Sequence, residues 1–247
     1  MLFLVGSRDR RRIMETGECI MIELRKFFAV LAAGLMLASC QTTGVRGLEY
    51  LNIPSGKARN PAVIVLPTKS GVTSYIVEFA DQLSRHGYVT AVVDFTTKGG
   101  ADNIEAAYDF LKTQPTVLPN KIGVVGFSKG ATQGLDFATY SHSFTRRRVQ
   151  AHVCYYSGPG AGNIDEKHPP ILFLHGDQDI RTSPGDIRNF CKAQKDYGSV
   201  CEFHIYKGVT HSFTHSSSWG SYDGAATADA FKRSLRFLDT HLKGKSG

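Results

Sequence analysis

The chain has 247 residues, of which 42% are hydrophobic, 21% charged and 11% aromatic, and its formal net charge is +7. These values are typical of a globular protein and exclude a chain that is mostly disordered, collagen-like or fibrous. Five cysteines are too few for a small scaffold built on disulfides. No apolar run reaches the ~20 residues that a membrane-spanning helix needs.

The segment before Cys40 has the pattern of an export signal. Arg25 and Lys26 precede thirteen mostly apolar residues, 27–39, and Cys40 follows them. The last four residues of this segment, Leu-Ala-Ser-Cys, resemble the bacterial lipobox. That resemblance implies cleavage before Cys40 and diacylation of the cysteine. The alternative is an ordinary signal peptide or a buried helix.

The export pattern sets the expected domain boundaries. We expect a signal peptide over 1–39, a lipidated tether over 40–47 and a globular domain over 48–247. An arginine-rich start does not suit a signal peptide, so residues 1–20 indicate a misplaced start codon, with Met14 or Met21 as the true start. Gln41, where an aspartate would favour the inner membrane, indicates an anchor in the outer membrane that faces the periplasm.

The positive charge of the chain does not indicate nucleic acid as a partner. Removal of residues 1–39 takes away six Lys/Arg and four Asp/Glu, which lowers the net charge to +5. Arg146–Arg148 is the one basic run, and no aromatic residues are interleaved with it. We interpret it as a solvated helix end or loop.

Apolar runs and helical patterns alternate through the rest of the chain. Strands are predicted over 62–66, 89–95, 121–126, 151–156, 171–174 and 200–206. Helices are predicted over 73–86, around Ile104 to Leu111, and over 129–139 and 226–242. Strands without strict alternation, separated by helices, predict an α/β fold: a mostly parallel sheet of about seven strands with helices on both faces.

A serine stands where the third predicted strand of the domain ends. Residues 126–130 read Gly-Phe-Ser-Lys-Gly, which is G-x-S-x-G between a strand and a helix. A nucleophile elbow needs this context and needs small residues two positions before and after the serine. The pattern therefore predicts Ser128 as a nucleophile, and the alternative is a plain glycine-rich turn.

A serine nucleophile needs a base, and the base needs an acid to orient it. Asp177 and Asp179 both follow strand 171–174, and we favour Asp179 because it lies further around the turn. His211 follows the last strand, with His215 as its rival. The order serine, aspartate, histidine is that of an α/β-hydrolase.

From about residue 48 onwards, the chain resembles the dienelactone hydrolase branch of the α/β-hydrolase family. The motifs that carry the resemblance are Gly-Phe-Ser-Lys-Gly at 126–130, Leu-His-Gly-Asp-Gln-Asp at 174–179 and Tyr-Lys-Gly-Val-Thr-His-Ser-Phe at 206–213. The resemblance implies a triad of Ser128, Asp179 and His211 that hydrolyses an ester or lactone without metal or cofactor.

The resemblance also implies an oxyanion hole, made by the amide of Lys129 and by one from the loop after strand 62–66, for which Lys69 is the candidate. The chain departs from the family at two points. The founding enzymes use a cysteine nucleophile, and the usual residues of the oxyanion loop are replaced by Pro-Thr-Lys-Ser at 67–70.

The remaining motifs carry less information. Residues 158–169 are too few for a lid domain, so we expect an open, shallow site. The Gly-Pro-Gly-Ala-Gly run within them lacks the apolar helix of a dinucleotide site, and His211 and His215 lack the glutamate of a zinc protease. In an oxidising periplasm we expect a helix-to-strand disulfide between Cys191 and Cys201.

Two functions from different classes fit these observations. The first is an envelope-anchored carboxylic ester hydrolase that acts on a small or medium-sized ester or lactone. The second is a non-catalytic envelope lipoprotein that uses the same fold for binding. The sequence gives neither the substrate nor the oligomeric state.

Overall fold

The computed structural model describes residues 44–144, 147–160, 168–215 and 221–244, with the backbone alone over 140–144. The expected signal peptide and Cys40 lie outside the described residues. Within the described part, no helix combines the length and the apolar character needed to cross a membrane.

Seven strands form one sheet. They are β1 (Leu48–Asn52), β2 (Asn60–Leu66), β3 (Val89–Val93), β4 (Val117–Phe127), β5 (His152–Tyr155), β6 (Ile171–Gly176) and β7 (Cys201–Tyr206). Their order across the sheet is β1-β3-β2-β4-β5-β6-β7, with β1 antiparallel to β3 and every other pair parallel. The prediction of a mostly parallel sheet of about seven strands is confirmed.

Helices cover both faces of the sheet. They are α1 (Ser74–Arg85), α2 (Asp102–Thr113), α3 (Lys129–Phe144), α4 (Pro184–Asp196) and α5 (Gly224–Leu238), which continues into a π-helical turn (Asp239–Lys243). Successive side chains of a strand point to opposite faces. Val63 and Val65 of β2 therefore pack in the core with α1 and α5, and Ile64 packs in the core with α2 and α3. This two-sided burial explains why β2 is apolar from Pro61 to Leu66.

Two elements have no counterpart among the predicted ones. The edge strand β1 is short and only partly buried, so its composition is mixed. In α4 the buried face is limited to Ile187, Phe190, Cys191 and Gln194, and most of the remaining residues are polar. The strand β4 also begins at Val117, four residues before the predicted start, because it continues through Pro119 and Asn120.

Arg147 and Arg148 of the basic run lie in the segment before β5. Arg146 lies outside the described residues, whereas Arg147 forms ion pairs of 2.7 Å with both Glu105 and Asp109 of α2. Arg147 therefore joins the segment before β5 to α2.

A disulfide joins Cys191 of α4 to Cys201 of β7, with 5.1 Å between the Cα atoms. Both cysteines are buried in a core cluster that also contains Ile187 and Phe190. The bond therefore ties α4 to the edge of the sheet. Cys154 is buried in β5 as a free thiol.

The turn between β4 and α3 holds Ser128 in an unusual backbone conformation. Its φ is 52°, in the left-handed region that residues other than glycine rarely adopt. The Ser128 amide donates to the Tyr155 carbonyl at 3.0 Å, and the Ser128 carbonyl accepts from the Ala131 amide at 3.0 Å. These bonds hold the strained residue at the point where the strand becomes a helix.

The two glycines of the motif are required by close approaches of the main chain. A Cβ on Gly130 would lie 2.1 Å from the Pro67 carbonyl oxygen, and one on Gly126 would lie 2.4 Å from the Ala131 Cα. No side chain fits at either position, which is the physical reason for the G-x-S-x-G spacing.

The strain at Ser128 predicts an order of stability for two variants. We expect Ser128→Gly to have a higher free energy of unfolding than Ser128→Ala by about 1 kcal/mol, because glycine adopts positive φ without the Cβ penalty. Urea denaturation measures the difference. The matched control is Gln133 within α3, where alanine should be the more stable variant by about 1 kcal/mol. The same order at both positions would contradict the assignment of strain to Ser128.

Candidate active site

The three residues of the predicted triad lie at the carboxyl edge of the sheet. Ser128 follows β4, Asp179 follows β6 and His211 follows β7. The carboxyl ends of parallel strands meet at one edge, which is where open α/β sheets bind their ligands. The topology therefore brings together side chains that are up to 83 positions apart in the chain.

The three side chains form a linked chain of polar contacts. Ser128 Oγ lies 2.9 Å from His211 Nε2. His211 Nδ1 lies 2.7 Å from Asp179 Oδ2. In the neutral tautomer that protonates Nδ1, the imidazole donates to Asp179 and leaves Nε2 free to accept the serine proton. This is the arrangement that a serine nucleophile needs.

The loops that carry the acid and the base are held against each other by main-chain contacts. A Cβ on Gly176 would lie 2.0 Å from the Val209 carbonyl oxygen, so glycine is required there. The same carbonyl accepts from the Gln178 amide at 3.0 Å. The separation between Asp179 and His211 is therefore fixed by backbone contacts.

Asp177, the rival acid, has a different position. Its Oδ1 accepts from the Gly208 amide at 2.7 Å and from Gln178 Nε2 at 3.2 Å. Asp177 thus caps the turn that leads to His211, while the carboxylate beside the histidine belongs to Asp179.

Asp179 is buried, and its side chain nevertheless remains ionised. Burial by itself raises its pKa, but hydrogen bonds from His211 and from the Arg181 amide (2.8 Å), with the charge of His211, outweigh burial. The net effect holds the pKa of Asp179 below its ordinary value. The side chain is therefore ionised at neutral pH.

The sequence analysis did not single out His175, which lies behind the acid. Its Nε2 is 3.0 Å from the Thr182 carbonyl oxygen and 3.6 Å from Asp179 Oδ2. Its Nδ1 is buried without a partner among the described residues. Burial lowers the pKa of this histidine, so it is neutral at pH 7 and donates from Nε2 to Thr182. The contact closes the loop that contains Asp179.

Tyr156 is a second residue that the sequence analysis did not identify. It has a positive φ of 38° directly after β5, and its hydroxyl is 3.0 Å from Thr214 Oγ1. Its ring packs against that of His211 in a T-shaped arrangement, with 5.2 Å between centroids. Tyr156 therefore supports the histidine from the side. A tyrosine at a strand end has many other roles, so no local signal distinguishes it.

The two candidate oxyanion donors lie near the serine. Lys129 is the first residue of α3, so its amide has no acceptor within the helix. The Lys69 loop lies against the start of α3, because the Pro67 carbonyl fills the space that a side chain at position 130 would occupy. The amides of Ser70 and Gly71 both bond to Thr68, whereas that of Lys69 has no acceptor within the described residues.

A cleft of about 410 Å³ opens above the serine. Its described lining consists of Thr68, Lys69, Ser70, Thr73, Ser128, Tyr156, Arg181, His211, Ser212 and His215. His215, the rival base, packs against Tyr75 with 5.5 Å between ring centroids. The histidine in contact with Ser128 is His211.

The lowered pKa of Asp179 predicts a pH-dependent contribution to stability. The ionised carboxylate stabilises the fold above its unfolded pKa of about 4, and the contribution is lost as pH falls through the lower folded pKa. We therefore expect the excess of wild type over Asp179→Asn in free energy of unfolding to shrink as the pH falls below about 4. Urea denaturation from pH 3 to pH 7 measures this gap.

A His211→Ala background is the control for this prediction. Without the histidine, the loss of stability caused by Asp179→Asn should be smaller at every pH. A gap that grows as the pH falls below about 4 would mean that the folded pKa of Asp179 is raised, contrary to the prediction.

Comparison with known proteins identifies the family. A model described as "Dienelactone hydrolase family" matches residues 94–242. A "Probable 2-oxo-3-(5-oxofuran-2-ylidene)propanoate lactonase" from Bradyrhizobium sp. is 25% identical over 238 residues, which cover 83% of this chain and 93% of the relative. A "Putative carboxymethylenebutenolidase" from Aquifex aeolicus (strain VF5) is 25% identical over 230 residues, which cover 82% and 97%.

A solved structure shows the same fold. The structure of a thermophilic esterase from the Planctomycetes species Thermogutta terrifontis matches with a TM-score of 0.64 at 17% identity, over 80% of this chain and 91% of that one. The family match spans more than half of the chain and includes all three residues at the carboxyl edge. The chain therefore belongs to the dienelactone hydrolase family and is a carboxylic ester hydrolase.

Proposed function

We propose that this chain hydrolyses carboxylic esters or lactones through a triad of Ser128, His211 and Asp179 and an acyl-enzyme intermediate. The observation that carries the proposal is the unbroken line of contacts from Ser128 Oγ through His211 to Asp179, at 2.9 Å and 2.7 Å. It lies at the mouth of a cleft that admits a small or medium-sized substrate.

The reaction has two halves. Ser128 Oγ attacks the ester carbonyl while His211 Nε2 takes the serine proton, and Asp179 stabilises the resulting imidazolium. His211 then gives the proton to the leaving alkoxide, and the acyl group remains on Ser128. Water attacks this ester by the same route, His211 again moves the proton, and the carboxylic acid leaves. No redox step or external co-reactant other than water is involved.

The oxyanion that forms in each half needs donors that are already in place. The Lys129 amide lies in the first turn of α3 and has no acceptor within the helix. The Lys69 amide has no acceptor among the described residues. Both support the assignment of these amides to the oxyanion hole. Each such donor contributes about 3–4 kcal/mol to the transition state in enzymes where it has been removed.

The names of two relatives support lactones as well as open esters. One relative is named a lactonase, and the other is named for a carboxymethylenebutenolide. A lactone is an internal ester, so the same triad opens it, and the alcohol then stays attached to the acyl group until water releases both. The proposal therefore covers both substrate types.

The nucleophile is tested with residues 41–247. We expect a fluorophosphonate probe to label the wild type, and short-chain nitrophenyl esters to be turned over. Both should be lost in Ser128→Ala, and Asp179→Asn should lower kcat/KM by about 10³-fold or more because the histidine loses its orientation. The control is Ser55→Ala, in the exposed loop between β1 and β2. Turnover that survives in folded Ser128→Ala would refute the triad.

The envelope anchor is a further part of the proposed function. The basic residues before 27–39 and the Leu-Ala-Ser-Cys sequence support lipidation at Cys40. A disulfide between Cys191 and Cys201 is a feature of proteins that fold in an oxidising compartment, and it supports export. Two or more acyl chains give stable attachment to a membrane.

Metabolic labelling tests the anchor. We expect the full chain, expressed in a Gram-negative bacterium, to incorporate an alkynyl palmitate and to fractionate with membranes. Cys40→Ser should lose the label and remain as an uncleaved precursor. Cys19→Ser, which lies before the expected cleavage point, should keep it. Equal labelling of both variants would exclude Cys40 as the lipidation site.

A further inference from the structure

A second cleft lies beside the catalytic one and has a volume of about 430 Å³. Arg181 lines both clefts. Thr132, in the second cleft, lies one turn after the nucleophile, and its amide donates to the Ser128 carbonyl at 3.3 Å. Ser157, also in the second cleft, directly follows Tyr156 of the first. The second cleft is therefore built on the segments that carry the catalytic residues, with one wall added by α4.

Polar and apolar groups contribute about equally to the lining of this cleft. The hydroxyls of Thr132 and Ser157 lie 3.1 Å apart. The side chains of Arg181, Asp186 and Asn189 make no hydrogen bond or ion pair with another residue that the structure describes. A guanidinium, a carboxylate and an amide, all of exposed residues, thus line one cleft without a partner among the described residues.

These groups favour one class of ligand. The charges of Arg181 and Asp186 have opposite signs, so the cleft does not select a strongly charged ligand. An alkyl chain would separate these polar groups from water without giving them partners, at a free-energy cost. A group with several hydroxyls both donates and accepts, so it can satisfy a carboxylate, an amide and a guanidinium together. A cavity of this size is within the range of small-ligand sites.

We propose that the second cleft binds a hydroxyl-rich portion of the ester substrate, such as a sugar ring, while the reacting carbonyl lies beside Ser128. This inference rests on the proposed function, because it assigns a substrate class to that reaction. The hydroxyls belong either to the alcohol or to the acid of the ester, and their chemistry in the cleft is the same. Arg181 lies where the two clefts meet and contacts the substrate between them.

Two matched substrate pairs test the inference on residues 41–247, with acid release followed by pH-stat titration. The alcohol arm compares methyl 6-O-acetylglucopyranoside with cyclohexylmethyl acetate. The acid arm compares methyl gluconate with methyl hexanoate. We expect kcat/KM for the hydroxylated member of at least one pair to exceed that of its apolar partner by about tenfold or more, as a few net hydrogen bonds would give. The arm that shows the preference identifies the side of the ester.

Variants of α4 connect the preference to this cleft. Asn189→Leu keeps the size of the side chain and removes its hydrogen bonds, and we expect it to lower the ratio of the two kcat/KM values by about fivefold. Asp186→Asn, which weakens an acceptor, should lower the ratio less. Lys195→Leu is the control, because it also replaces a polar side chain by leucine, at an exposed position of α4 that does not line the cleft. Thermal denaturation checks that each variant is folded.

The outcomes separate this inference from the proposed function. Nitrophenyl acetate turnover that depends on Ser128, together with equal rates within both pairs, a preference for the apolar members, or no turnover of either hydroxylated ester, would overturn the inference and leave the function standing. A preference that Asn189→Leu and Lys195→Leu change equally would also overturn it. Activity that does not depend on Ser128 would instead refute the proposed function.

Discussion

The whole site depends on two places where main chains pass each other more closely than any side chain would allow. At Gly130 the start of α3 meets the Pro67 carbonyl, and at Gly176 the end of β6 meets the Val209 carbonyl. The first contact sets the Lys69 loop beside the nucleophile, and the second sets the base beside the acid. Since interiors are close-packed, an added methyl group at either point would displace a whole loop. The relative positions of the reacting groups are thus a property of the backbone.

Within that frame, burial assigns different roles to two histidines that share one carboxylate. His211 lies at the cleft, where Nε2 reaches Ser128 while Nδ1 donates to Asp179. His175 is fully enclosed, and burial keeps it neutral with its proton directed at the Thr182 carbonyl. A positive charge on His175 would compete for Asp179 with the imidazolium that catalysis generates. The enclosure of His175 therefore leaves the carboxylate to one partner.

The sequence predicts those parts of the fold and of the site whose pattern lies within a single segment of the chain. The apolar strands, the small residues around Ser128 and the placement of polar residues after strands all follow from local constraints. The expected fold is confirmed, and the residues named for the triad lie together. The roles of His175, Tyr156 and Arg181 were not predicted, because each depends on contacts between segments distant in the chain. The edge strand β1 and the polar helix α4 were missed because few of their residues are buried.

The bond between Cys191 and Cys201 has a consequence for the shape of the substrate cleft. It attaches α4 to β7, at the edge of the sheet. Asp186 and Asn189 of α4 form one wall of the second cleft. Where thiols are kept reduced, that wall is held by non-covalent contacts alone, among them the packing of Ile187 and Phe190 and the hydrogen bond from the His168 amide to Gln194. The folded chain thus has an oxidised form, in which the cleft wall is fixed covalently, and a reduced form, in which it is not. The redox state of its surroundings decides which form meets the substrate.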